Sequence, residues 1–326
     1  RGRLPRGACR ADGKPPAISL NPARIVTRPM HGQGPHRRLQ DAVSILLEQH
    51  RAPVHLLDKL PKRWERFADV ALLPQSAFTQ DEWSDVSGEA LWRAVAEALE
   101  VERVGRIGEI VGEQRESSVE LLLGEEDWVV RRESGVNYGY HFTECMFSAG
   151  NVNERRRMGE VGLAGETVID LFCGIGYYTL PMLVHSEVAQ IHCCEWNPRA
   201  VEALKWSLQN NGVSHRCTVH EGDNRVTAIA LKGIADRVIL GLLPTAENGY
   251  ELAVNCLKEA GGELHIHGVA PAKNHQSWVD ETIRQIEELA QGQMVGEVQR
   301  TRVKSYAPHW DHLVLDLELR PEKTEG

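Results

Sequence analysis

Thr167-Val168-Ile169-Asp170-Leu171-Phe172-Cys173-Gly174-Ile175-Gly176 is the stretch on which the fold turns. An apolar, β-branched run reads as a buried strand, and the two glycines after it read as a turn into a helix predicted over 179–184. Glycine at such a turn lets a ligand approach the backbone more closely than a Cβ would permit. The third glycine of the dinucleotide fingerprint is missing, so the turn alone does not name its ligand.

The chain downstream repeats the pattern. Strands are predicted at 190–194, 216–221, 237–240 and 263–269. Helices are predicted at 198–210, 246–257 and 278–290, the first opened by Pro198. Segments 297–305 and 312–319 close the domain as an antiparallel hairpin. This alternation predicts an α/β domain with a mostly parallel sheet covered on both faces. Successive strand ends carry polar groups. Asp170 ends the first strand, and Glu195, about 25 residues on, ends the second and can accept both hydroxyls of a ribose. Gly222-Asp223-Asn224 ends the third, where it would meet an adenine edge. No phosphate-cradling Gly-Lys-Ser/Thr is present. The pattern therefore points to an adenosine-bearing cofactor without phosphates.

Upstream, the spacing of Ala42, Ile45 and Leu46 predicts a helix, 68–73 a strand stopped by Pro74, and 87–100 an amphipathic helix. Segments 119–124 and 128–130 read as two strands across a turn. Residues 41–137 are thus expected to form a small α+β domain before a catalytic domain at 138–320, with a short tail at 321–326. Residues 1–40 hold nine Lys or Arg and one acid, which predicts a disordered basic tail. The chain's net charge of −9 leaves the remainder near −17, so nucleic-acid binding would need local patches. Candidates are Arg131-Arg132, Arg155-Arg156-Arg157 and 300–304. The absence of an initiator Met implies a fragment or a processed chain. No apolar run is long enough for a membrane span, and the basic N-terminus lacks the apolar core of a signal peptide. Seven scattered cysteines without a CxxC pair argue against a zinc site and fit a reducing cytoplasm.

Asp170-Leu-Phe-Cys-Gly-Ile-Gly, Glu195-Trp-Asn-Pro and Asp236-Arg-Val-Ile-Leu together resemble the enzymes that modify the guanosine 3′ of the tRNA anticodon. His141-Phe142-Thr143-Glu144-Cys145-Met146-Phe147-Ser148-Ala149-Gly150-Asn151, Asn153-Glu154-Arg155 and the 60–73 segment carry the same resemblance, over roughly 55–320. It implies a Rossmann-like class I transferase domain using S-adenosylmethionine as co-substrate. In the guanine-37 N1-methyltransferases of this group the fourth strand ends in Asn-Leu-Pro, and the upstream motif reads Ser-Pro-Arg. Here those places read Leu240-Gly241-Leu242-Leu243-Pro244 and Ser148-Ala149-Gly150. The sequence is therefore most similar to the wybutosine-pathway aminocarboxypropyltransferases.

The resemblance implies that Ser148 and Arg155 reach the cofactor from upstream, while Glu195 holds the ribose and Asp223 and Asn224 the adenine. Gly174 and Gly176 line the turn, and Gly241 and Pro244 face the acceptor base. The implied acceptor is the tricyclic base at position 37 of phenylalanine tRNA, with no metal and no membrane involved. No general-base constellation stands out, and His265 and His267, alternating on one strand, read as structural. The competing readings are a tRNA guanine-37 N1-methyltransferase, a small-molecule methyltransferase, which the extra N-terminal domain disfavours, and, from another class, a catalytically silent RNA-binding protein.

Overall fold

A computed structural model describes residues 34–108 and 118–322. Most of the expected basic tail, residues 1–33, and residues 323–326 lie outside the described residues. Helix α1 (Pro35–His50) begins inside the stretch read as tail. Pro35 opens it, and Leu39, Val43, Leu46 and Leu47 form one buried stripe, so residues 35–40 belong to the folded protein. The rest of the small domain is β1 (Glu65–Phe67), β2 (Val70–Leu73), α2 (Glu89–Leu99), β3 (Arg103–Arg106) and β4 (Glu120–Leu123). Its sheet runs β1-β2-β3-β4, with β2 and β3 parallel. Both helices cover it around Phe78, Trp83 and Trp92, whose rings pack edge to face.

The two strands expected to pair across a turn at 119–130 do not pair. β4 joins β3, and β5 (Trp128–Glu133) pairs instead with β6 (Val136–His141). Ser134 and Gly135 supply the reason. Both have positive φ, 49° and 82°, the two-residue geometry whose twist suits a hairpin. This hairpin spans the expected boundary at residue 137. It packs on α5 (Pro198–Asn210), where the Gly139 amide donates to Ser207 Oγ at 3.0 Å. A Cβ at Gly139 would lie 2.3 Å from the Trp206 ring, so only glycine permits this approach. Arg131 ties the hairpin back to the small domain through Glu65 at 2.6 Å.

The remaining elements are α3 (Val152–Glu160), β7 (Thr167–Asp170), α4 (Thr179–His185), β8 (Gln190–Glu195), β9 (Cys217–Glu221), α6 (Asn224–Thr227), β10 (Arg237–Leu240), α7 (Tyr250–Cys256), β11 (Gly262–Pro271), α8 (His275–Leu289), β12 (Gln293–Ala307) and β13 (Trp310–Pro321). Among the described residues the sheet order is β12-β13-β11-β10-β7-β8-β9. The five strands from β11 to β9 are parallel, and β13 and β12 are antiparallel. This is the expected α/β, Rossmann-like arrangement. α4 and α5 cover one face and α7 and α8 the other, each over a continuous apolar core. Chain order reverses between β7 and β10, so the crevice beyond their C-terminal ends is where such a sheet receives a ligand.

Candidate active site

Asp170 ends β7 and is fully buried. Its carboxyl accepts from Thr179 Oγ at 2.9 Å and from the Phe172 amide at 3.4 Å, fastening the turn to the start of α4. Burial raises its pKa to about 8. Its part in the site is to shape the turn. Gly174, at φ 56°, donates its amide to Glu195 Oε2 at 2.8 Å. Gly176, at φ 93°, serves packing: a Cβ there would lie 2.8 Å from both Leu180 and Leu204.

Glu195 leaves β8 directly beside this turn. Its other oxygen accepts from the Asn197 amide at 2.8 Å. No cation pairs with it among the described residues, and burial raises its pKa. A largely buried carboxylate held by backbone amides, with no cation to neutralise it among the described residues, suits a ligand bearing hydroxyl donors. At the end of β9, Asp223 caps α6 and pairs with Arg225 at 2.5 Å. Asn224 Nδ2 donates to the Leu171 carbonyl at 2.8 Å, stapling this strand end to that of β7. Glu195, Asp223 and Asn224 thus meet on the edge that also bears the glycine turn.

The upstream loop closes over the same edge. The Tyr177 hydroxyl donates to the Met146 carbonyl. Arg155 is buried, with Nε and Nη2 on Glu133 at 2.5 and 2.9 Å, Nη1 on the Ser148 carbonyl at 2.9 Å, and its guanidinium over Phe147 at 4.5 Å. It thereby ties the loop that presents Ser148 to Glu133 of β5. The Ser148 hydroxyl accepts from Lys304 Nζ at 2.7 Å.

Both glycines that depart from the methyltransferase pattern are packed. A Cβ at Gly150 would lie 2.9 Å from Lys304 Cδ, and one at Gly241 3.1 Å from the Tyr178 ring. The space beside Gly241 is thus bounded by Tyr178, whose hydroxyl lies 3.5 Å from His267 Nδ1. The Pro244 carbonyl accepts from the Val269 amide at 3.0 Å, tying the loop after β10 to β11. Sheet register brings Lys304 and the pair His267–His312 (2.9 Å) here, beside Tyr178 at the start of α4, and no motif marks them. Burial keeps both histidines neutral, their pKa values lowered to about 3. His265 belongs to a buried network with Arg237 at 2.6 Å and Asp316 at 2.5 Å; Arg237 also pairs with Glu263 at 2.5 Å and so sits amid the Glu263–His265–Asp316 cluster.

The basic runs divide into paired and exposed arginines. Arg131, Arg155 and Arg157 are paired with Glu65, with Glu133, and with Glu154 and Asp316. Arg132, Arg156 and Arg300 remain exposed.

Known proteins match both domains. Residues 44–127 match the family model described as the TYW2 N-terminal domain, and residues 129–298 that described as the TRM5/TYW2 methyltransferase domain. A human protein named tRNA wybutosine-synthesizing protein 2 homolog is 36% identical over 374 residues, covering 97% of this chain and 83% of that one. The chain belongs to the tRNA wybutosine-synthesizing protein 2 family.

Within that family, the Arabidopsis thaliana and Oryza sativa tRNA wybutosine-synthesizing proteins 2/3/4 are 39% and 42% identical over 293 residues. The chain spans only 29% and 28% of their length. Among solved structures, Pyrococcus horikoshii TYW2 in complex with MeSAdo superposes with a TM-score of 0.72 at 30% identity, covering 87% of this chain and 99% of that one. The Methanocaldococcus jannaschii tRNA m1G37 methyltransferase, at TM-score 0.65 and 21% identity, shares the fold. No helix among the described residues is long and apolar enough to cross a membrane.

Proposed function

We propose that this protein is an S-adenosylmethionine-dependent tRNA aminocarboxypropyltransferase. It moves the 3-amino-3-carboxypropyl group to the tricyclic wybutosine-precursor base at position 37 of phenylalanine tRNA and releases methylthioadenosine. The observation that carries the reading is Glu195, a largely buried carboxylate with no cationic partner among the described residues, placed beside a glycine turn at the sheet's reversal point in a chain of this family. The Pyrococcus horikoshii relative in complex with MeSAdo supports it.

In this reading the outer lone pairs of Glu195 accept the ribose hydroxyls, and the Asp223–Asn224 segment borders the adenine. The Gly174–Gly176 turn lets the backbone approach the nucleoside, and the Ser148 loop meets the amino acid chain. When bound, the sulfonium supplies an electrophilic chain methylene: the acceptor atom of the base bonds to it, the carbon–sulfur pair returns to sulfur, and the acceptor sheds a proton. The chain's own residues act by holding the acceptor against that methylene, and positioning of this kind lowers a barrier by several kcal/mol. Gly241 and Pro244 border the acceptor side. The exposed Arg132, Arg156 and Arg300 offer phosphate contacts whose effect should fall with salt. The setting proposed is the cytoplasm.

The test is the spent co-substrate after incubation with precursor tRNA. Methylthioadenosine is expected. S-adenosylhomocysteine would instead mean that the methyl group moves, as in a guanine-37 N1-methyltransferase.

A further inference from the structure

Lys304 is, among the described residues, a half-buried ammonium with no acid beside it. Among the described residues no carboxylate pairs with it; its hydrogen bond runs to Ser148 Oγ at 2.7 Å. The acids nearby are committed elsewhere, Glu133 to Arg155 and Glu154 to Arg157. Across the strand pair stands His312, which burial keeps neutral. Burial, and then the charge of Arg155, hold the Lys304 pKa below its usual value. Taking a cation out of water with no counter-charge is unfavourable unless an anion arrives from outside.

The chain is built to put this ammonium there. β12 and β13 slip register between Arg302 and Lys304, with Arg302 opposite Leu313 and Lys304 opposite His312. A bulge of this kind re-aims a side chain. Arg302 and Ser305 stay at the surface while Lys304 turns in against the loop. Gly150 makes way for it, since a Cβ there would lie 2.9 Å from Lys304 Cδ and 3.1 Å from Nζ.

Its place relative to Glu195 defines the ligand. Glu195 holds the Gly174 amide; Gly174 abuts the Tyr177 ring, and the Tyr177 hydroxyl holds the Met146 carbonyl two residues before Ser148. The turn therefore has a hydroxyl-accepting carboxylate on one side and an ammonium with a serine hydroxyl on the other. A nucleoside fits the first. A carboxylate carried on a short chain from that nucleoside fits the second, with Lys304 and the Ser148 hydroxyl both donating to it.

We propose that Lys304, with Ser148, seats the α-carboxylate of the 3-amino-3-carboxypropyl chain, holding by its charge the very group that is transferred. This rests on the functional reading above. The seat is a cation delivered from the β12–β13 hairpin, not from the loop it packs on.

Methylthioadenosine lacks that carboxylate, whereas S-adenosylmethionine and S-adenosylhomocysteine carry it, so the three ligands separate a binding role from a structural one. Calorimetric titration of each is made on the unaltered protein and on Lys304→Met, Lys304→Arg and Ser148→Ala. Lys304→Met is expected to weaken the two carboxylate-bearing ligands by about 10- to 100-fold, the range of one charge-assisted hydrogen bond, while methylthioadenosine affinity stays within about twofold. Lys304→Arg should restore most of the loss, and Ser148→Ala should show a smaller loss with the same selectivity. Equal weakening of all three ligands, or no weakening of S-adenosylmethionine, would overturn the proposal. If Lys304→Met fails to fold, Ser148→Ala decides by the same ratio. An unaltered protein that binds none of the three would instead defeat the functional reading on which this one stands.

Discussion

Replacing Glu195 by alanine removes both acceptors that the cofactor's ribose is proposed to use. Each is a hydrogen bond to a charged group, worth about 1.5 to 3 kcal/mol. Two such bonds total about 3 to 6 kcal/mol, or roughly 10²- to 10⁴-fold in dissociation constant. The fold should tolerate the change. The carboxylate is bound by backbone amides, among them Gly174 and the buried Asn197, whose loss of an acceptor should cost about 1 to 3 kcal/mol of stability and leave the strand pairing in place. Among the described residues it holds no cation whose charge would be left buried. Titration calorimetry with S-adenosylmethionine, beside thermal unfolding of the same samples, gives affinity and integrity together. Asp223→Ala is the internal control. Asp223 is already paired with exposed Arg225, so its loss should weaken binding far less. A folded Glu195→Ala protein whose affinity matches that of the unaltered chain would refute the placement of the ribose.

Two further outcomes follow from the same geometry. Asp170 keeps its proton in the folded state up to about pH 8, whereas in the unfolded chain it ionises near its ordinary value of 3.8, so its contribution to stability is full in acid and declines as pH rises towards 8. Asp170→Asn should therefore gain stability relative to the unaltered protein between about pH 5 and pH 8.5 in urea unfolding, and a pH-independent difference would contradict the assignment. Gly241→Asn must displace the Tyr178 ring, since even its Cβ would lie 3.1 Å away; a loss of about 1 to 3 kcal/mol in stability together with slower transfer is expected, and an unchanged protein would show that the Tyr178 packing is dispensable.

The parts of the molecule readable in advance are those whose physics is local. Val168 to Gly176 state a strand, a turn and a helix start within a few residues, and Glu195 ends its own strand, so the sheet edge proposed for the cofactor is legible from spacing alone. The α1 helix was legible from Ala42 onward but not from Pro35, because the arginines at 37 and 38 masked the stripe begun by Leu39. The hairpin of β5 and β6 was misjudged because Gly124 offered a plausible turn, while the left-handed pair Ser134 and Gly135 made the real one. Lys304 lay in a basic run that read as a phosphate patch. What distinguishes it from Arg300 and Arg302 is a register slip against β13 and a contact with Ser148, 156 residues away. The same holds for Arg155, whose charge looks available until Glu133 is seen beside it. Long-range pairing decides these side chains, and no local spacing encodes it.

The central claim is which carbon leaves the sulfonium, and the mass of the modified base reads it directly. Precursor phenylalanine tRNA is reacted with S-adenosylmethionine labelled in its carboxyl group, digested to nucleosides and weighed. Transfer of the amino acid chain in place of a hydrogen, with catalysis by positioning, predicts a gain of about 101 Da on the base at position 37 together with the label. A gain of about 14 Da without label, the signature of a methyl group brought to the acceptor by the same positioning, would contradict the account.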